Sequence, residues 1–271
     1  MAHAWHEQEF GSQAEPILWE LFHENTKLSR LCVGRSEEEM EKYVTGLLES
    51  FPFEGYPITK LPKRMATFKM RIGQAMNTRS SAREMHSRKV RLEELAAILH
   101  YGYGITRRTS DNPRGFRAVP SAGALFPLEI FVQARRVQSL TQGLYHYHPQ
   151  GHHLRMVREG EDIAQLQSCF AQETIPANAS FLIFMTALFE RSTFKYGDRG
   201  YRFVFLEAGH VAQNISIVCS ALRLGSLSVG GFFDREIDRF LALDGITHST
   251  IYVIAVGSQA HSLKCNLQPL E

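Results

Sequence analysis

The stretch Phe194–Asn214, FKYGDRGYRFVFLEAGHVAQN, stands between two segments of opposite character. Before it runs SFLIFMTALF (180–189), apolar and rich in β-branched and aromatic residues, with the length of a buried strand. Within and beyond it Phe205, Ala208, Ala212, Ile215, Val218 and Leu222 recur at three- or four-residue steps. That spacing predicts a helix from about Tyr201 to Leu224, closed by Gly225. Val204, Val211, Ile217 and Leu224 widen its apolar surface, so the helix is expected to be covered on more than one side, in a domain centre or against a partner subunit. Between strand and helix fall Glu190, Arg191, Lys195, Tyr196, Asp198, Arg199, Tyr201 and Arg202. An ammonium beside a phenol favours the phenolate, so a Lys195–Tyr196 pair held in a turn can act as a base near neutral pH. A surface loop with ion pairs is the plainer reading of the same composition.

Outward from this segment the elements alternate. LEELAAILHYGYG is a helix with Leu92, Leu95, Ile98 and Leu99 on one face and Gly102 near its end. LEIFVQARRV and STIYVIAVG read as strands, and GLYHYHPQGHHLRMV as a hairpin turning at Pro149–Gly151. The first seventy residues look helical: PILWELFHENTKLSRL starts with Pro16, and SEEEMEKYVTGLLESF carries Ser36 and Glu39 at capping-box spacing. FPFEGYPITKLPKR then marks the best candidate boundary, giving a helical N-terminal segment (1–70) and a main domain (71–271). The expected class is α+β with a small sheet.

Composition narrows the function. A chain of 271 residues, 44% hydrophobic and 21% charged, can bury a sizeable core. A net charge of +2 gives no electrostatic reason to expect nucleic acid or an anionic membrane. No apolar run reaches the ~20 residues of a membrane span, and MAHAWHEQEF lacks the pattern of a signal peptide. Cys32, Cys169, Cys219 and Cys265 are scattered, so they are expected as reduced thiols in a cytoplasmic protein.

Three loops could carry ligands. In TRSSAREM, Arg79 and Arg83 bracket Ser80 and Ser81, forked cations and neutral donors suited to phosphate; a capped helix start is the alternative. In VPSAGALFP, the small residues Ser121, Ala122 and Gly123 let a flat ligand approach the backbone, unless the segment is a plain turn. In SVGGFFD, Gly230 and Gly231 could present N–H groups to a ring edge, or only bend the chain. G-x-G-x-x-G and G-x-x-x-x-G-K-[ST] are both absent, which argues against a Rossmann nucleotide site and a P-loop. His146, His148, His152 and His153 suggest a metal, but with no acid or thiol in that segment a hairpin of aromatic and imidazole side chains is the expectation.

Taken together and in order, PSAGALFP with EIFV, GLYHYHP, and FKYGDRGYRF with LEAGHVAQN resemble the SagB-type dehydrogenases of the FMN-dependent nitroreductase superfamily. The chain is especially similar to the oxidase subunits of microcin-type synthetases, over about residues 71–258; FHENTK (Phe22–Lys27) resembles a feature ahead of their flavin domain. The resemblance implies a nitroreductase-like homodimer with FMN at the subunit interface. On matching positions, Arg79, Ser80, Ser81 and Arg83 would hold the FMN phosphate and the nearby ring edge. Pro120, Ser121 and Gly123 would lie along the isoalloxazine, and Gly230 and Gly231 would approach it from the other side. Lys264 is the one residue that could supply a C-terminal phosphate contact. Lys195–Tyr196 would be the catalytic motif, with Tyr196 as base and Lys195 aiding or relaying, or the reverse. Arg199, Tyr201 and Arg202 are expected to pin the loop and cap the following helix.

The implied reaction turns thiazolines and oxazolines of a ribosomally made precursor peptide into thiazoles and oxazoles, with O2 reoxidising the flavin. The implied partners are a YcaO-type cyclodehydratase and a leader-binding subunit. Three alternatives stand beside it: an NAD(P)H-dependent nitroreductase or quinone reductase, an azoline oxidase serving carrier-bound nonribosomal substrates, and a flavin-binding scaffold subunit.

Overall fold

Side chains alternate across a strand, so an uninterrupted apolar strand must be covered on both faces. That is how the computed structural model, which describes residues 17–30, 36, 38–39, 43, 50–110, 112–160 and 162–259, is built. In chain order come α1 (Leu18–Asn25), β1 (Ile58–Lys60), α2 (Ile72–Thr78), β2 (Met85–His86), α3 (Leu92–Tyr103), β3 (Ile105–Thr109) and β4 (Asn112–Arg117). Then follow β5 (Leu128–Ala134), β6 (Gly143–His148), β7 (His153–Glu159), α4 (Ile163–Ser168), α5 (Thr174–Asn178) and β8 (Phe181–Leu188). The chain continues through α6 (Glu190–Tyr196), α7 (Arg199–Ala221), β9 (Gly225–Val229), α8 (Asp234–Phe240) and β10 (His248–Gln259).

The strands order as β1-β7-β6-β5-β8-β10-β2, with β9 also on β10, while β3 and β4 form a separate hairpin. The named strand pairs are antiparallel; parallel pairing enters through isolated bridges, Ser81 to Ser226 and Val90 to Val137. At eight strands the sheet is wider than the small one expected, because short edges at β1 and β2 extend it. Alternate residues feed two cores. Ile130, Val132, Ile183, Met185, Ile254 and Val256 face α3 and α7. Phe131, Leu182, Phe184, Val253 and Ala255 pack with Leu166, Phe170, Ile237 and Phe240 on the other side. The architecture is α+β, a central sheet between helical layers.

The predicted hairpin turns where expected, with His148 paired to His153. The proline-punctuated connection does more than connect: Ile58–Lys60 pairs with β7 and Leu61 is buried in the core. Ser36 and Glu39 form the capping box, with Ser36 N–H donating to Glu39 Oε2 (3.0 Å) and Glu39 N–H to Ser36 Oγ (3.2 Å). The rest of that predicted helix falls largely outside the described residues, as do Pro16, Cys32, Lys264 and Cys265. Cys169 and Cys219 are buried free thiols. Among the described residues no helix is long and apolar enough to cross a membrane.

Two details differ from the sequence reading of the long helix. It stops at Ala221, and the left-handed position after it is Arg223 (φ 57°), not a glycine. Leu224 N–H reaches Cys219 O (2.8 Å) and Arg223 N–H reaches Ser220 O (3.0 Å), so this closure satisfies the last carbonyls and frees Gly225 to open β9. Near its middle the helix crosses α3 at Gly102, where a Cβ would stand 2.7 Å from Ile215 Cγ1. Gly102 is therefore a packing glycine inside α3, and Gly104 caps that helix.

Candidate active site

Lys195 and Tyr196 close α6, a seven-residue helix, where a turn or surface loop was expected. Gly197 (φ 57°) ends that helix and Asp198 starts the next. Lys195 Nζ lies 5.5 Å from the centroid of the Tyr196 ring, and Phe203 meets that ring edge-on at 4.9 Å. Opposite them runs the Ser121–Phe126 loop, whose backbone turns through Gly123 (φ 62°), Ala124 (φ 53°) and Phe126 (φ 46°). A Cβ built on Gly123 would stand 2.7 Å from Tyr196 Oη and 3.1 Å from Lys195 Nζ. Phenol and ammonium thus face bare loop backbone, and a side chain at position 123 would displace one or both of them.

The polar groups behind this contact are buried. Arg191, on the first turn of α6, forms an ion pair with Glu129 Oε1 (2.7 Å) and donates to the Phe126 carbonyl (3.3 Å), tying the helix to the strand and to the loop. Glu129 also accepts from His146 Nε2 (2.6 Å) and from Ser50 Oγ (2.8 Å). Burial pushes the Glu129 carboxyl up, but His146, Arg191 and Ser50 outweigh it and bring it down to about 2. Behind the loop, Arg117 lies 4.2 Å from the Tyr103 ring centroid and 4.6 Å from that of Phe126. Tyr103 Oη donates to Glu207 Oε1 (2.7 Å), and the Ser121 hydroxyl stands close enough to favour the carboxylate form. Burial raises Glu207 to about 7, because these hydroxyls and the guanidiniums of Arg117 and Arg191 offset it only in part.

The other predicted residues assemble at a second place. Ser81 bridges to Ser226 on β9, Ala82 N–H donates to Ser226 O (3.0 Å), and β9 runs on to Gly230 and Gly231. Arg79, Ser81, Arg83, Gly230 and Gly231 are exposed and Ser80 is half-buried. Among the described residues, Arg79 and Arg83 have no carboxylate partner. One group therefore unites TRSS with the paired glycines, and another unites Gly123 with Lys195 and Tyr196. Pro120 is exposed on the approach to the second group. Among the described residues no cluster could hold a metal ion. His146 belongs to the Glu129 network, while His148 and His153 stack at 4.8 Å. Burial, reinforced by the neighbouring histidines, pulls His148 and His152 down to about 4, so these imidazoles stay neutral.

Arg199, Tyr201 and Arg202 do something other than cap the following helix. Arg199 donates to Thr26 O (2.9 Å) and Arg202 to His23 O (2.6 Å), supplying partners to carbonyls at the end of α1. Tyr201 meets Phe22 edge-on at 5.5 Å. These residues hold the N-terminal helix to the start of α7.

The Nitroreductase family pattern matches residues 76–258. The chain belongs to that family. It is 41% identical over 165 residues to a protein of Methanocaldococcus jannaschii that carries the nitroreductase name, covering 61% of this chain and 81% of that one. It is 28% identical over 142 residues to the microcin B17-processing protein McbC of Escherichia coli, about half of each chain (51% and 52%). A solved nitroreductase-named protein of Anabaena variabilis superposes with a TM-score of 0.71 at 26% identity, over 89% of this chain and 47% of that one. A chain of the E. coli microcin synthetase McbBCD complex, with truncated pro-MccB17 bound, shares the fold (TM-score 0.57, 21% identity, 89% of this chain and 86% of that one). The resemblance to SagB-type dehydrogenases thus agrees with similarity to a microcin-processing protein.

Family membership makes the chain an oxidoreductase, and proteins of this family bind FMN. The donor set suits that cofactor: two exposed guanidiniums with no carboxylate partner among the described residues, small hydroxyl residues, and the uncrowded pair Gly230 and Gly231, whose backbone is open to a flat ring. Sequence reading did not single out Glu207, Tyr103, Arg117 or Glu129. The available signal was an acid set among Val204, Ala208 and Val211 in a helix otherwise predicted to be buried there.

Proposed function

We propose that this chain is an FMN-dependent dehydrogenase that aromatises thiazolines and oxazolines in a ribosomally made precursor peptide. The observation that carries the proposal is the contact of Lys195 and Tyr196 with the bare backbone at Gly123. Arg79, Ser80, Ser81 and Arg83 would hold the cofactor phosphate; Pro120, Ser121, Gly123, Gly230 and Gly231 would border the ring. FMN held there would supply the two-electron acceptor, with O2 as the terminal oxidant. Tyr196 Oη takes the proton released from the azoline ring carbon and Lys195 Nζ relays it onward, or the two exchange these roles.

A second copy of the chain fits the uncovered apolar surface. Ile72, Met76, Phe205 and Leu206 are exposed, and a cavity of about 410 Å³ opens nearby between α2, α3 and α7, lined in part by Phe68, Tyr101 and Ile217. The similarity to a microcin-processing protein supports a YcaO-type cyclodehydratase and a leader-binding subunit as further partners. The 41% identity to a nitroreductase-named protein favours a second reading, reduction of small acceptors by NAD(P)H. The Lys–Tyr pair has no evident work in such an enzyme.

Wild type, Tyr196→Phe and Lys195→Ala, each loaded with FMN, separate the two. Given an azoline peptide in air without NAD(P)H, wild type is expected to remove two hydrogens per ring, read by mass spectrometry. Tyr196→Phe should be slower by about 10²–10⁴. An intact azoline beside a flavin that bleaches with NADPH overturns the oxidase reading.

A further inference from the structure

α6 carries Lys195 and Tyr196, yet it is only seven residues long and no side chain caps its start at Phe189. So short a helix is marginal in water by itself, and its place is set by what packs against it. Arg191 ties its first turn to Glu129 and to the Phe126 carbonyl. The other ties come from far back in the chain, ahead of the residues 76–258 that match the family. The Tyr43 ring lies flat on Phe194, with 3.4 Å between centroids and 10° between planes. Its Oη donates to the Glu190 carbonyl at 3.2 Å. Together these contacts grip the helix at its first residue and at the residue before Lys195.

The same segment reaches the anchor of Arg191. Ser50, buried at 7% exposure, donates from Oγ to Glu129 Oε2 (2.8 Å), and the Phe51 N–H donates to Oε1 (3.3 Å). Each carboxylate oxygen is therefore shared: Oε1 between Arg191 and Phe51, Oε2 between His146 and Ser50. The Arg191 guanidinium lies 5.8 Å from the Phe51 ring centroid. Phe53, at φ 44°, seats the segment on the sheet, 4.6 Å from the His146 ring and edge-on to Phe131 at 6.0 Å. With both oxygens fixed from two sides, the carboxylate has one orientation in which to receive Arg191.

We propose that Tyr43 and Ser50 are positioning residues for the Lys195–Tyr196 pair: Tyr43 holds α6 through Phe194 and Glu190, and Ser50 orients the Glu129 carboxylate that receives Arg191. The region ahead of the family match thus completes the candidate site without touching the reacting atoms. Arg191 and Lys195 are four residues apart on one face of α6, so a shift at the anchor is passed directly to the ammonium. A base moved by about 1 Å from its proton loses much of its effect.

The inference rests on the reading that Lys195 and Tyr196 act here, but its first readout is the helix itself. Hydrogen–deuterium exchange is followed by mass spectrometry on the FMN-loaded full chain. Wild type is compared with Tyr43→Ala, Tyr43→Phe, Ser50→Ala, Phe194→Ala and the double variant Tyr43→Ala with Phe194→Ala. In Tyr43→Ala and Ser50→Ala, exchange of the peptide holding Glu190–Tyr196 should rise roughly five- to tenfold, with β8 and β10 unchanged. Tyr43→Phe keeps the stack and loses only a bond to an exposed carbonyl that water can serve. Its exchange should return to within about threefold of wild type. The double variant should be no looser than Tyr43→Ala, because both changes remove the same stack. With an azoline peptide, kcat should fall about tenfold in Tyr43→Ala, while KM and FMN content hold.

Wild-type exchange of the helix in one alanine variant removes that residue from the role, and in both it overturns the proposal. Exchange rising equally in all peptides, or a loosened helix with wild-type kcat, overturns it too. Tyr43→Phe as loose as Tyr43→Ala, or a double variant looser than both singles, overturns the stack on Phe194 as the tie. If Ser50→Ala does not fold, the Tyr43 series, which alters a half-buried ring, decides alone. A loosened helix in a chain whose wild type leaves azolines intact overturns the proposed substrate and leaves both residues as the holders of α6.

Discussion

Two buried glutamates, Glu129 and Glu207, lie in the polar networks behind the candidate site, and their surroundings give them opposite chemistry. Glu129 sits on β5 between a guanidinium and an imidazole and is drawn down to about 2. Glu207 sits on α7 with the Tyr103 hydroxyl as its hydrogen-bond partner and guanidiniums acting only at longer range, and burial pushes it up to about 7. Burial acts in the same direction on both carboxyls. What differs is whether a direct partner brings formal charge or only a hydrogen bond. The first arrangement makes a permanent anchor, the second a group whose proton can come and go at working pH.

The anchor should be the more costly to break. Glu129→Leu leaves Arg191 and His146 buried without their acceptor, and the expected loss is about 3–5 kcal/mol in urea unfolding. A change under 1 kcal/mol would mean that water or the Phe126 carbonyl serves Arg191 equally well. Next comes Arg191→Ala, which leaves Glu129 and the Phe126 carbonyl without their shared Nη1 partner; a loss of roughly 1–3 kcal/mol is expected, with slower turnover as α6 drifts from the loop.

The sign of the pH dependence sharpens the contrast. The folded pKa of Glu129 lies below its unfolded value, so its contribution is full above the ordinary carboxylate range and is lost as pH falls toward about 2. The folded pKa of Glu207 lies above its unfolded value, so its contribution is full below the ordinary range and is lost as pH rises toward about 7. Glu207→Gln is therefore expected to flatten the fall in stability between about pH 5 and 7 while leaving acid unfolding unchanged, measured as Tm against pH. The smallest effect belongs to a contact outside both networks. Arg202→Ala frees the end of α1 and should cost only about 0.5–1 kcal/mol, seen as faster exchange in Leu18–Asn25 with the core unaffected.

Much of this architecture was legible because it rests on local periodicity. The strands at β5, β8 and β10, the hairpin at Pro149–Gly151 and the helices α3 and α7 are written in runs of apolar residues at steps of two or of three to four. The Ser36–Glu39 capping box is equally local. What local pattern could not give was the short helix under Lys195–Tyr196, because seven residues are too few for a periodic signal. It also missed the left-handed Arg223, since glycine is only the commonest residue there and a closed hydrogen-bond motif can hold another.

The candidate site divides in the same way. Lys195, Tyr196 and Gly123 were visible as residue types suited to chemistry or close approach, and the resemblance to SagB-type dehydrogenases suggested that they belong together. Their meeting depends on α6 and the Ser121–Phe126 loop converging from segments seventy residues apart, which only tertiary packing decides. The roles of Glu129 and Glu207 depend on it wholly. Either residue in sequence is just an acid in an apolar run; its charge state follows from which groups the fold packs against it, and those come from three or four separate segments. The sequence by itself determined where the chain must be strand or helix, because the hydrophobic effect acts through periods shorter than one element. Only the tertiary structure decided which buried acid is held ionised and which retains its proton, because the field at a carboxyl is a sum over neighbours distant in the chain.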